Sequence, residues 1–95
     1  MITAIVFIKA DVARIPEVAE QVAAIDGVSE VYSVAGNTDL VAMVRVRKFE
    51  DIAEVIANRI SKVPGVIDTD THIAFRAYSR HDLDEAFAIG LPEAD

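Results

Sequence analysis

The chain has 95 residues, 53% of them hydrophobic, with 9 Lys and Arg against 16 Asp and Glu, a formal net charge of −7. That length is one domain with a modest core, and its acidic balance argues against direct nucleic-acid binding and against an anionic membrane surface, because phosphate affinity comes from Lys and Arg. The sequence has no cysteine, which excludes disulfides and thiolate metal sites.

Residues 2–10 (ITAIVFIKA) are rich in Ile, Val and Phe and read as a strand. Ile2, Ala4, Val6 and Ile8 line one face; Thr3, Ile5, Phe7 and Lys9 line the other. Both faces carry apolar side chains, so both are expected to be covered. The run is too short to cross a bilayer. It contains Lys9, is followed by Asp11 and has no basic segment before it, unlike a signal peptide. A cytoplasmic setting is the expectation.

Residues 14–25 read as a helix. Pro16 suits its first turn and Glu17 the positive end of its macrodipole. Ile15, Val18, Ala19, Val22 and Ile25 recur at helical spacing and form one apolar face. Gly27 is placed to stop the helix in the left-handed conformation. Residues 28–35 (VSEVYSVA) read as a second strand, and the loop Gly36-Asn37-Thr38-Asp39 follows. Residues 40–47 (LVAMVRVR) are a third strand, apolar on both faces at its start. Glu50 and Asp51 open a helix over about 49–62, whose buried stripe is Ile52, Val55, Ile56 and Ile60, with Val63 beyond; Pro64 and Gly65 end it. Residues 66–77 (VIDTDTHIAFRA) are a fourth strand.

The order β-α-β-β-α-β reads as an internal duplication of a β-α-β unit: Val18-Ala19-Glu20 leads to Asp26-Gly27-Val28, as Ile52-Ala53-Glu54 leads to Pro64-Gly65-Val66. Two right-handed crossovers joined by a hairpin predict an α+β, ferredoxin-like fold, an antiparallel four-stranded sheet with both helices on one face. Residues 1–78 form the folded unit. The tail, 79–95, carries a short helix signal: Asp82 as N-cap with Glu85 three residues on, then Leu83, Ala86, Phe87 and Ile89, closed by Gly90 and Pro92. Two helices cover one side of the sheet only. The bare side, with a large apolar fraction on a short chain, predicts a homodimer packed sheet to sheet.

Catalytic chemistry finds little material. No Ser sits in a nucleophile-elbow context, and His72 and His81 lack nucleophile and acid partners. Asp68, Asp70 and His72 alternate on one face of the fourth strand. They read as a metal-ligating set or, more simply, as a solvated face opposite Ile67, Thr69, Thr71, Ile73 and Phe75. The four glycines are not clustered and make no phosphate loop. Arg45-Val46-Arg47-Lys48 is a short basic run, read as a solvated edge or intersubunit patch. The loop at Gly36 is either turn chemistry, with Asn and Asp bonding their own backbone, or a ligand site. Backbone N–H groups at a glycine-containing bend bind a carboxylate, and Asp39 suits an ammonium group; together they match the main-chain end of an amino acid.

These residues carry a resemblance. Gly27-Val28, Gly36-Asn37-Thr38-Asp39, the apolar strand from Leu40, Gly65-Val66 and Thr69-Asp70-Thr71 resemble, in order and spacing, the C-terminal effector (RAM) domain of Lrp/AsnC transcription regulators. The likeness covers about residues 1–77. It departs at Ala35, where the family often has a hydroxyl residue, and at Leu40, where it often has Tyr or Phe. The resemblance implies a sheet-to-sheet dimer, often a ring of four dimers (an octamer), and an amino-acid effector bound between dimers near Gly36, Asn37, Thr38 and Asp39. Thr71 and Arg76 are further candidates. It implies no cofactor and no catalysis. Because the chain begins directly on the first strand, it reads as a stand-alone effector domain lacking a helix-turn-helix, acting alone or mixed with full-length Lrp/AsnC regulators. The rival readings are a purely structural assembly domain, or a small ferredoxin-like monooxygenase or isomerase, which would keep a pocket with His72 between sheet and helices.

Overall fold

The computed structural model describes residues 1–78 and residue 80. The tail helix read from Asp82 to Ile89 lies outside them. The chain runs β1 (Ile2–Ala10), α1 (Ile15–Ala23), β2 (Val28–Ser33), β3 (Leu40–Val46), α2 (Phe49–Asn58) and β4 (Val66–Ala74), with single 3-10 turns at Val12–Arg14 and Ile60–Lys62. The sheet order is β2-β3-β1-β4 and every neighbouring pair is antiparallel. This is the ferredoxin-like arrangement expected from the pattern.

The core sits between the sheet and the helices. Ala4, Val6 and Ile8 of β1 and Leu40, Ala42 and Val44 of β3 alternate toward the helices and are fully buried. They meet Val18 and Val22 of α1 and Ile52 and Val55 of α2, the apolar stripes that helical spacing produces. Fully burying each such side chain contributes about 1.5–3 kcal/mol. The two glycine stops of the repeat adopt positive φ, Gly27 at 98° and Gly65 at 101°. At Gly65 a Cβ would lie 2.7 Å from Val18 Cγ2, so the turn after α2 packs directly on α1. Glycine is required there by both its conformation and its closeness.

Element ends differ from the sequence reading, each for a tertiary reason. Helix α1 stops at Ala23 because its last amides switch to tighter bonds, Ile25 N–H to the Val22 carbonyl at 3.1 Å. Helix α2 stops at Asn58, since Arg59 leaves helical geometry at φ −121°; the following 3-10 turn then carries Ile60 into the core. Strand β2 ends at Ser33, opposite Leu40, the first residue of β3. Strand β4 ends at Ala74, not 77, because its partner β1 runs out: Thr3–Ala74 is the last pair of that ladder. Phe75, just beyond, is 94% exposed.

The other sheet face is bare. Cross-strand register sets Ile5 and Phe7 of β1 beside Val41 and Met43 of β3, all only half-buried, with Tyr32 of β2 exposed opposite Val41. Around this apolar centre stand charged groups, Glu30 and Arg45 toward one edge and Asp68, Asp70 and His72 on the other.

Candidate functional site

The loop after β2 is tied to the end of β1 rather than only to itself. The β1–β3 ladder ends at the pair Ile8–Leu40, and just beyond it the Ala10 amide donates to Asp39 Oδ2 at 2.9 Å. The Asp39 amide donates to the Ile8 carbonyl, and its own carbonyl accepts from the Val34 amide, both at 3.1 Å. Lys9 Nζ donates to the Asn37 carbonyl at 3.1 Å. Gly36 sits at the bend with φ 123°, and nothing lies within 4 Å of where a Cβ would be. Its glycine serves the conformation, not close packing.

A cleft of about 620 Å3 opens beside this loop on the bare sheet face. Lys9, Asn37 and Thr38 line it from the loop end; Asp68, Asp70 and His72 line it from β4; Phe7 and Ile67 add apolar surface. Of the four loop residues named from sequence, Asn37 and Thr38 reach the cleft, while Gly36 and Asp39 shape the loop behind them. The volume lies within the range typical of small-molecule sites, about 300–1,000 Å3.

Its electrostatics follow from register. Lys9 and Asp68 are direct partners across β1 and β4. Among the described residues they form no ion pair; the Lys9 ammonium turns to Asn37 instead. Positive charge thus stands at the loop end of the cleft and carboxylates stand along β4. His72 Nε2 lies 3.2 Å from Asp70 Oδ2, and its ring meets Phe7 edge-on, centroids 5.1 Å apart at 88°. Among the described residues no three His, Asp or Glu side chains gather closely enough to hold a metal ion.

The remaining candidates fall elsewhere. Thr71 pairs with Val6 and so faces the helices, half-buried. Arg76 lies past the end of β4, at the opposite end of β1 from the loop, in a cleft of about 500 Å3 with Met1, Ile5, Met43 and Arg45. Within one chain it is not a neighbour of Asp39. The basic run divides: Val46 is buried, Arg45 faces the bare side and Arg47 and Lys48 line a third cleft of about 350 Å3. Arg45 bonds Ser29 Oγ and Glu30 Oε1, the latter at 3.1 Å, and the Tyr32 hydroxyl donates to Glu30 Oε2. The bond from Tyr32, then that from Arg45, holds the Glu30 carboxyl below the usual carboxylate range; the same carboxylate pushes the Tyr32 hydroxyl up. The pairing of Lys9 with β4's acids, the main feature of the cleft, was not visible in the sequence. Its one signal there is the alternation of Asp68, Asp70 and His72.

Comparison with known proteins places this arrangement. The model of the Lrp/AsnC ligand binding domain matches residues 3–83. A solved structure from Thermus thermophilus is 44% identical, covering 84% of this chain and 100% of its own, with a TM-score of 0.79. An uncharacterised HTH-type transcriptional regulator of Pyrococcus horikoshii is 42% identical over 59 residues, 62% of this chain. The match spans 39% of that regulator's length. A transcriptional regulator from Neisseria meningitidis, solved in complex with L-Met, shares the fold at 15% identity, covering 83% of this chain and 53% of its own, with a TM-score of 0.74. With the βαββαβ topology, the loop tied to β1 and a family match across almost the whole chain, this protein belongs to the Lrp/AsnC ligand binding domain family.

Proposed function

We propose that the chain is an amino-acid-sensing and assembly module of transcriptional regulation, binding its effector in the cleft beside residues 36–39. The separation of charge across that cleft carries the reading: one ammonium at the loop end faces carboxylates on β4, the inverse of a zwitterion's own two charges. The ligand carboxylate meets Lys9 and the polar loop residues Asn37 and Thr38; its ammonium meets the β4 aspartates. Asp39, whose carboxylate already accepts the Ala10 amide, acts as the brace of the loop. The L-Met complex of the same-fold Neisseria regulator supports this ligand class.

The bare apolar face supports a homodimer packed sheet to sheet; the partner sheet would cover the Phe7 side of the cleft, and further dimers, up to a ring of four, would close its loop end at Asn37 and Thr38. A ligand shared between subunits then favours the assembly that forms its site. Mixed assembly with full-length Lrp/AsnC regulators would carry the signal to DNA, in the cytoplasm where such regulators act. No catalysis belongs to this role. The space between sheet and helices, where an enzyme of this fold would keep its pocket, holds the close-packed core, and His72 lies on the other face.

Isothermal titration of the 95-residue chain against the twenty amino acids tests the reading. At least one is expected to bind, and Lys9→Gln is expected to weaken it about fivefold or more, the scale of one exposed ion pair. No heat from any of the twenty would remove the sensing role and leave the fold standing.

A further inference from the structure

We infer that the two sheets of the dimer are related by a two-fold axis running along their strands, so that β4 of each subunit lies over β2 of its partner and Tyr32 of the partner subunit forms a wall of the effector cleft. The inference rests on the sheet-to-sheet dimer and the amino-acid cleft proposed above, and says how the first completes the second.

Register lays out the bare face in rows from β4 to β2. One row reads Asp70, Phe7, Val41, Tyr32 and the next His72, Ile5, Met43, Glu30. The centre is apolar, but the two edges differ. The β4 edge carries Asp68 and Asp70, and Lys9, the cross-strand partner of Asp68, turns to Asn37 instead. The β2 edge carries the Tyr32 hydroxyl and a carboxylate, Glu30, that Tyr32 and Arg45 already hold.

Packed sheets keep their strands within about 30° of each other. A two-fold axis lying between two identical sheets therefore runs either close to the strands or close to perpendicular to them. The perpendicular axis sets β4 on β4. It crowds Asp68 and Asp70 of both subunits into one edge as water leaves, and it puts both Arg45 side chains at the other, a like-charge arrangement that costs affinity. The axis along the strands sets β4 on β2 and keeps the rows in order. His72 then faces Glu30 of the partner subunit, and Asp70 faces Tyr32 of the partner subunit. Arg45 of the partner subunit comes with that Glu30 to the acidic edge. Sheets packed face to face lie about 10 Å apart, a gap that a tyrosine and an aspartate fill from opposite sides. Tyr32, 51% exposed in the single chain, is thereby covered. The cleft is closed on its Phe7 and Asp70 side, while Lys9, Asn37 and Thr38 stay open to a ligand.

The chain has no cysteine, so introduced thiols report the orientation directly. Treated with a short bis-maleimide, the double variant Glu30→Cys/His72→Cys is expected to form a covalent dimer, and Glu30→Cys or His72→Cys alone to form none. Unchanged circular dichroism and a dimer by light scattering verify that each variant folds and pairs. A covalent dimer from either single variant, or none from the double, overturns the orientation. The wall is read by titrating each of the twenty amino acids. Within one chain β2 and β4 are the opposite edges of the sheet, so Tyr32 reaches a cleft only in the partner. Tyr32→Ala is expected to weaken whichever of the twenty bind wild type by about fivefold, with the dimer intact by light scattering. Unchanged affinity in a dimeric variant overturns the wall. Silence from all twenty removes the sensing role and the wall together, while the cross-links still decide the orientation. A monomeric wild type removes the dimer and the orientation with it.

Discussion

Asp39, read from the sequence as a ligand group, also braces its loop in the structure. Its carboxylate takes the Ala10 amide, which lies past the end of the β1–β3 ladder at Ile8–Leu40. A hydrogen bond from an amide to a charged acceptor contributes about 1.5–3 kcal/mol, and a part-buried one falls at the low end. Asp39→Ala is therefore expected to lower unfolding stability by about 1–2 kcal/mol, read as an earlier urea midpoint with an unchanged slope. Ligand affinity should fall less than in Lys9→Gln. Gly36 was readable as a bend because turn chemistry is local, and its φ of 123° agrees. The partner of Asp39 is 29 residues away, so no local spacing announces it. The same holds for Lys9, which in the sequence is one polar residue at the end of an apolar strand. It gains its meaning only when β4 is laid beside it.

Among the elements, the β2–β3 pair carries a charge network that makes its pairing sensitive to pH. Glu30 titrates below the ordinary range when folded, held by Tyr32 first and Arg45 second. A carboxylate with a depressed pKa stabilises above its unfolded pKa and loses that contribution as pH falls through the folded one. Tyr32, raised by the same bond, stabilises below its unfolded pKa and loses the contribution as pH climbs through the folded value. The stability difference between wild type and Tyr32→Phe is thus expected to be flat from about pH 5 to pH 9. It should shrink below about pH 4 and above about pH 10, in urea titrations at each pH. Periodicity located all six main elements, because apolar stripes at Val18, Val22, Ile52 and Val55 belong to the core whatever the tertiary detail. It missed their ends. Where β4 stops is decided by where β1 starts, and the 3-10 turn after α2 is decided by Ile60 finding the core.

For the whole molecule, the bare sheet face is the decisive surface. Ile5, Phe7, Val41 and Met43 are too apolar for lasting contact with water, and covering each contributes up to about 1.5–3 kcal/mol. Size-exclusion chromatography with light scattering is expected to find a dimer or larger at micromolar concentration. Phe7→Asp is expected to give a monomer with an unchanged circular dichroism spectrum. A wild-type monomer under those conditions would overturn the sheet-to-sheet assembly. The βαββαβ order and its bare face could be read from the pattern of apolar residues alone. The cleft could not, because it is a product of register between the first and last strands. That same strand order has a consequence for how the chain is made. β1 leaves the ribosome before both of its neighbours yet lies between them, flanked by β3 and β4. Its segment ITAIVFI therefore waits, with both edges open, until Val46 has emerged on one side and Ala74 on the other. Until both have emerged, this apolar strand is open to pairing with other chains, and β4 is the strand that closes its second edge.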